Sequence, residues 1–125
     1  MTILRLRAYM KLIQFDRCLA KGDFAALYEK VRSYPLGVRR ATPTDVTQRI
    51  CLAVDIACIW YWKQVFCLQR SAATACLLKR YGIPAQLVIG TQQFPFRAHA
   101  WVEVDGHVVN DHPYTPEIYT ILDRC

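Results

Sequence analysis

Six cysteines and three histidines supply the thiols and imidazoles of this 125-residue chain. One thiol paired with one imidazole can open a carbonyl–nitrogen bond: the thiolate adds to the carbonyl and the imidazole carries the proton. An ordinary thiol, with a pKa of about 8.5, is only about 3% ionised at pH 7, and a helix N-terminus with an imidazolium nearby lowers that pKa by several units. Full ionisation raises the reactive fraction about thirtyfold, or about 2 kcal/mol. Cys67 stands where a helix is expected to begin, so its position and its residue type agree. Cys51, Cys58 and the mid-helix Cys76 read as small buried hydrophobes, and Cys18 and Cys125 have no evident role. No two cysteines form a CxxC pair and the histidines form no HxxxH, which argues against a bound metal.

His99 lies in a segment, Phe96 to Val104, that alternates between two faces. Phe96, Ala98, Ala100, Val102 and Val104 point one way as a core face; Arg97, His99, Trp101 and Glu103 point the other, as a functional or solvated face. A third group is needed to hold the imidazole tautomer. Asp105-Gly106 marks a hairpin turn into a strand over His107 to Asp111. A strict two-residue turn would set Val104 opposite His107 and put Asn110 on the His99 face. A three-residue loop with a bulge would set Val104 opposite Val108 and bring Asp111 diagonally beside His99. A buried carboxylate needs a partner, so the second register is expected, with Asp111 orienting His99 and Asn110 as the alternative orienter.

The elements that must position these groups follow from periodicity and breakers. Two short amphipathic helices are expected over Leu4 to Ala20 and Phe24 to Ser33, ended by Gly22 and Pro35, with a connection over Leu36 to Ala41. Thr42-Pro43-Thr44-Asp45 reads as a helix start, followed by Val46, Ile50, Ala53, Ala57 and Tyr61 at helical spacing. The helix from Cys67 to Tyr81 is apolar on most sides and stops at Gly82 and Pro84, which makes it the central helix. Strands are expected over Ala85 to Gly90 and Phe96 to Val104, then the hairpin. The class is α+β: N-terminal helices and a buried central helix packed on a small antiparallel sheet. The length suits a single domain, 1–125, with a helical N-terminal region (1–41) and a catalytic core (42–125).

Composition narrows the function further. With 54% hydrophobic and 21% charged residues the chain has the make-up of a folded protein. The apolar run Ile56 to Trp62 is far short of the roughly 20 residues a membrane span needs, and Met1 to Gln14 carries no signal-peptide pattern, so a cytoplasmic location with reduced thiols is expected. The net charge of +6 is spread from Arg5 to Arg124 without a basic–aromatic run, which favours an acidic peptide or protein partner over nucleic acid.

Cys67-Leu68-Gln69-Arg70-Ser71, Gly82-Ile83-Pro84-Ala85, Pro95 to Gly106 around His99-Ala100-Trp101, and Asn110-Asp111 together resemble the leader peptidases of lasso-peptide biosynthesis, a family of transglutaminase-like, papain-like cysteine peptidases. The resemblance covers about Trp62 to Asp111. It implies a catalytic triad of Cys67, His99 and Asp111, no cofactor, and cleavage between the leader and the core of a ribosomally made precursor. A separate ATP-dependent cyclase then closes the macrolactam. Because the 66 residues before Cys67 read as helical, a stand-alone peptidase is expected, with leader recognition in a separate partner protein.

The oxyanion is expected at the Cys67 backbone N–H with a second donor near Gln64 or Trp62; Trp101 and Arg97 are further substrate-binding candidates. Trp60, Trp62 and Trp101 also read as packing aromatics. Arg70, Arg97 and Glu103 read either as a salt-bridged cleft wall or as a solvated face, and His107 and His112 as turn residues. Two other readings share the fold: an acyltransferase that passes the Cys67 thioester to an amine, and a non-catalytic binding module.

Overall fold

A computed structural model of the chain describes residues 2–38 and 42–125. Part of the connection expected over Leu36 to Ala41 lies outside the described residues. Helix α1, Thr2–Ala20, buries Ala8, Leu12 and Phe15, one helical face in its spacing, and ends at Gly22, whose positive φ of 68° suits a residue without Cβ. Asp23 then caps α2, Phe24–Arg32, by accepting the Ala26 N–H at 3.1 Å. Helix α3, Pro43–Trp60, starts with Pro43 directly after its cap residue Thr42 and buries Ile50, Ala53, Val54 and Ala57.

Helix α4, Cys67–Arg80, is buried continuously from Ser71 to Leu78. Its end is a Schellman turn: Ile83 N–H donates to Leu78 O at 2.8 Å and Gly82 N–H to Lys79 O at 3.0 Å, with Gly82 at φ 85°. Helices α1 and α3 pack against one side of α4 and the sheet against the other, so side chains from the N-terminal helices share one core with Leu77, Leu87 and Val102. That layering explains why α4 has almost no polar face.

The sheet is antiparallel in the order β3-β2-β1-β4, built from β1 (Ala85–Gln92), β2 (Arg97–Val104), β3 (His107–Val108) and β4 (Thr120–Arg124), with a short helix α5 (Thr115–Ile118) before β4. Ala85, Leu87, Ala100 and Val102 lie on the face toward α4 and are buried. Sequence patterning missed α5 and β4. Strand β4 is mostly exposed, so it carries no apolar alternation, and it is held by its ladder to β1, which contains a bulge at Ile89/Gly90.

The hairpin register departs from expectation. Val104 pairs with His107 and Glu103 with Val108, a strict two-residue turn in which Asp105 (φ 51°) and Gly106 (φ 76°) both take left-handed backbone. The second face of β2 carries exposed Arg97 and half-buried His99 at one end and is packed at the other, where Trp101 is fully buried and Glu103 is 5% exposed.

Candidate active site

Cys67 is the first residue of α4 and is half-buried. The cap residue, Phe66, has no side-chain acceptor, so the first-turn N–H groups of Cys67 and Leu68 receive no cap. Gln69 braces the turn instead: its Oε1 accepts the Phe66 N–H at 3.4 Å and its Nε2 donates to Leu12 O at 2.8 Å. The nucleophile candidate therefore stands at the positive end of a helix whose start is tied to α1.

His99 sits on β2 opposite Gly90 of β1. Its ring stacks on Tyr119 (centroids 5.3 Å apart) and on Trp101 (6.0 Å). Gly90 makes this cluster possible, because a Cβ there would come within 2.8 Å of both Trp101 Cη2 and Tyr119 Cβ. Tyr119 follows α5, beyond every motif read from the sequence, and has no local signal. The indole N–H of Trp101 donates to Glu103 Oε2 at 2.9 Å, and Arg124 approaches Glu103 Oε1 at 3.6 Å. Trp101, fully buried with its one donor occupied, is a packing residue and offers nothing to an oxyanion.

Asp111 reaches His99 by a route the hairpin register does not suggest. After β3 the chain leaves the ladder: Val109 N–H still donates to Val102 O at 3.0 Å, but the Val102 N–H is taken by the side-chain Oδ1 of Asn110 at 2.8 Å. Asn110 Nδ2 donates to Ser71 Oγ at 3.1 Å, and Ser71 Oγ donates to Ala100 O at 3.1 Å. Arg70 completes the clamp, with Nη2 on Asn110 O at 2.8 Å and Nη1 on Asp55 Oδ1 at 3.2 Å. The bend made by this side-chain substitution brings Asp111 Oδ2 to 2.5 Å from His99 Nε2. Asp111 thus meets His99 without the bulged loop, and the Asn110 amide is committed elsewhere.

Asp111 and His99 side chains are 17% and 25% exposed. Burial opposes ionisation of Asp111, but the hydrogen bonds from His99 and from the His112 N–H, with the charges of His99 and Arg70, outweigh it and hold the carboxyl below the usual carboxylate range. With Nε2 on the carboxylate, Nδ1 is the ring nitrogen left for a thiol. Among the described residues no hydrogen bond joins Cys67 Sγ to His99; the structure brings His99 and Asp111 together and sets Cys67 one helical turn from Ser71, which bonds the carbonyl next to His99 in sequence.

The other site residues expected from sequence scatter. Trp62 is 73% exposed beneath Lys63 Nζ, Trp60 is 76% exposed, and neither packs in the core; Gln64 and Arg97 are exposed. Arg70, Arg97 and Glu103 form no common wall, since Arg70 pairs with Asp55 and Glu103 with Arg124. Of the remaining thiols, burial pushes Cys51 and Cys76 up to about 11 and raises Cys58 and Cys125. Ser71 and Asn110 are the residues sequence reasoning undervalued. Ser71, four residues after Cys67, lay in plain view on the same helix face.

A helix that begins at a cysteine, packed on a sheet whose strand β2 carries a histidine bonded to an aspartate just beyond β3, is an arrangement suited to acyl transfer through a thioester. A model of the transglutaminase-like superfamily matches residues 9–124, and the chain belongs to that superfamily. It is similar to the microcin J25-processing protein McjB of Escherichia coli, with 49% identity over 47 residues, 38% of this chain. The match spans only 23% of that protein's length. No solved structure matches the chain.

Proposed function

We propose that the chain is a cysteine peptidase that removes the leader from a ribosomally made lasso-peptide precursor, with Cys67 as nucleophile, His99 as general base and acid, and Asp111 as the residue that orients His99. The observation that carries this reading is the His99 Nε2–Asp111 Oδ2 bond, between β2 and the bend after β3, in a sheet packed against a helix that starts at Cys67. The similarity to a microcin-processing protein supports a processing role on a peptide precursor.

In this mechanism His99 Nδ1 takes the thiol proton as Cys67 Sγ adds to the scissile carbonyl, and the same proton passes to the leaving amine. Water, deprotonated by His99, then hydrolyses the thioester. Asp111 stays ionised and fixes the ring so that Nδ1 faces the thiol. The uncapped N–H of Cys67 supports the oxyanion, with Trp62 or Gln64 as the second donor and exposed Arg97 as a contact for the peptide. The partners on this reading are the leader-bearing precursor, a separate leader-recognition protein and the ATP-dependent macrolactam cyclase.

The test is cleavage of a lasso-peptide precursor in the presence of its leader-recognition protein, followed by mass spectrometry. Cys67→Ala should abolish leader release, and Asp111→Asn should slow it by about 10⁴-fold, as expected for a lost tautomer. Release by Cys67→Ala at the wild-type rate overturns the assignment; transfer to an added amine in place of hydrolysis would make the chain an acyltransferase.

A further inference from the structure

A concavity of about 850 Å³ lies between α1, α2 and the C-terminal end of α4, and Cys67 is not among the residues that line it. Cys67 and Arg80 begin and end α4, about 20 Å apart at 1.5 Å per residue, and of the two only Arg80 lines the groove. Six cations line the groove: Arg7, Lys11, Arg17, Lys21, Lys30 and Arg80. Its one carboxylate, Asp23, is already engaged as the α2 cap. Charges that looked scattered along the chain are thus gathered by the fold onto one face.

These cations lack ion-pair partners, as do Arg5, Arg49, Lys79 and Arg97 outside the groove among the described residues. Arg32, Lys63, Arg70 and Arg124, outside the groove, each have a carboxylate within 4.0 Å, whereas among the described residues none of the six does. The side-chain hydrogen bonds they make are to neutral groups: Arg7 donates to Tyr81 Oη at 2.6 Å, Lys11 to Gln14 Oε1 at 2.9 Å, and Lys30 to Cys18 Sγ at 3.7 Å. Such contacts orient the charges without neutralising them. Met10, Ile13 and Leu77 supply apolar lining, and Met10 is 61% exposed, continuous with exposed Ile3 and Leu6 on the same helix. Among the described residues no aromatic side chain lines the groove itself, and the nearby Tyr34 and Tyr81 rings are covered by Lys11 and Arg7.

We propose that this groove is a docking site for an acidic segment of a partner protein, one that sets an apolar side chain on Met10 and Ile13 and carboxylates against the surrounding cations. Charge complementarity selects such a segment and steers its approach. The site rests on the groove's own charges and lining, independently of the chemistry at Cys67.

The experiment titrates the full chain with a fluorescein-labelled peptide of Glu and Leu, with the same peptide carrying Gln for Glu, and with labelled oligothymidylate. Arg17→Glu/Lys21→Glu is compared with Arg5→Glu/Arg49→Glu, which changes the net charge equally but lies outside the groove lining; matching circular dichroism melts establish that both are folded. The expected result is saturable binding of the Glu peptide, weakened at least about tenfold by the groove pair and far less by the control pair, reduced by salt, and retained in Cys67→Ala. Equal losses in both pairs, no preference for Glu over Gln, or tighter binding of oligothymidylate would overturn it, the last in favour of nucleic acid.

Discussion

Replacing Asn110 with alanine tests how the hairpin is held. The side chain makes two hydrogen bonds that no backbone group supplies: it accepts the Val102 N–H at 2.8 Å and donates to Ser71 Oγ at 3.1 Å. Val102 is fully buried, so Asn110→Ala strands a donor, at a cost of about 1–3 kcal/mol, and also loses the Ser71 bond, worth about 0.5–1.5 kcal/mol. A loss of about 2–4 kcal/mol should lower the melting temperature by roughly 10 °C in a domain of this size. Cleavage should fall further than stability, through kcat more than KM, because the residue sets where Asp111 meets His99 and a displacement of about 1 Å can cost about 100-fold. Thermal melts followed by circular dichroism measure the first effect and precursor cleavage below the variant's transition measures the second. A double-mutant cycle with Ser71→Ala should return a coupling of about 1 kcal/mol. If Asn110→Ala melts within about 2 °C of wild type, the clamp is not what bends the chain.

Gly90→Ala should displace the Trp101–Tyr119 pair, since the new Cβ would lie 2.8 Å from each; a fall in melting temperature with a changed Trp fluorescence maximum is expected, and an unaltered spectrum would count against the close approach. Asp111 ionises more readily folded than unfolded, so its stabilising contribution is complete above the unfolded value of about 3.9 and is lost as pH falls through the lower folded value. The stability gap between wild type and Asp111→Asn in urea unfolding should therefore be level near neutrality and close in acid below about pH 4; a gap that widens there would contradict the assignment. Iodoacetamide at neutral pH, read by peptide mapping, should label Cys67 well before Cys51 and Cys76, whose thiols burial pushes to about 11; uniform slow labelling of all six would undo the choice of nucleophile.

What the sequence determined by itself was everything set by near neighbours. Gly22 and Gly82 mark helix ends because a left-handed residue is a local demand, Pro43 marks a start because it needs no N–H bond, and the apolar run after Cys67 foretells a helix covered on most sides. Asp105-Gly106 likewise specifies a two-residue turn, and the expectation of a third residue came from asking strand geometry alone to deliver Asp111 to His99. Only the tertiary structure decided that meeting, because Asn110 trades a ladder bond for one made by its own side chain and anchors to Ser71, 39 residues away. Strand β4 and Tyr119 were invisible for a related reason: their order comes from β1 and from the space over Gly90, not from any pattern of their own. The same holds for charge. A sequence counts cations, but only the packing of α1 and α2 against the end of α4 sets six of them around one groove.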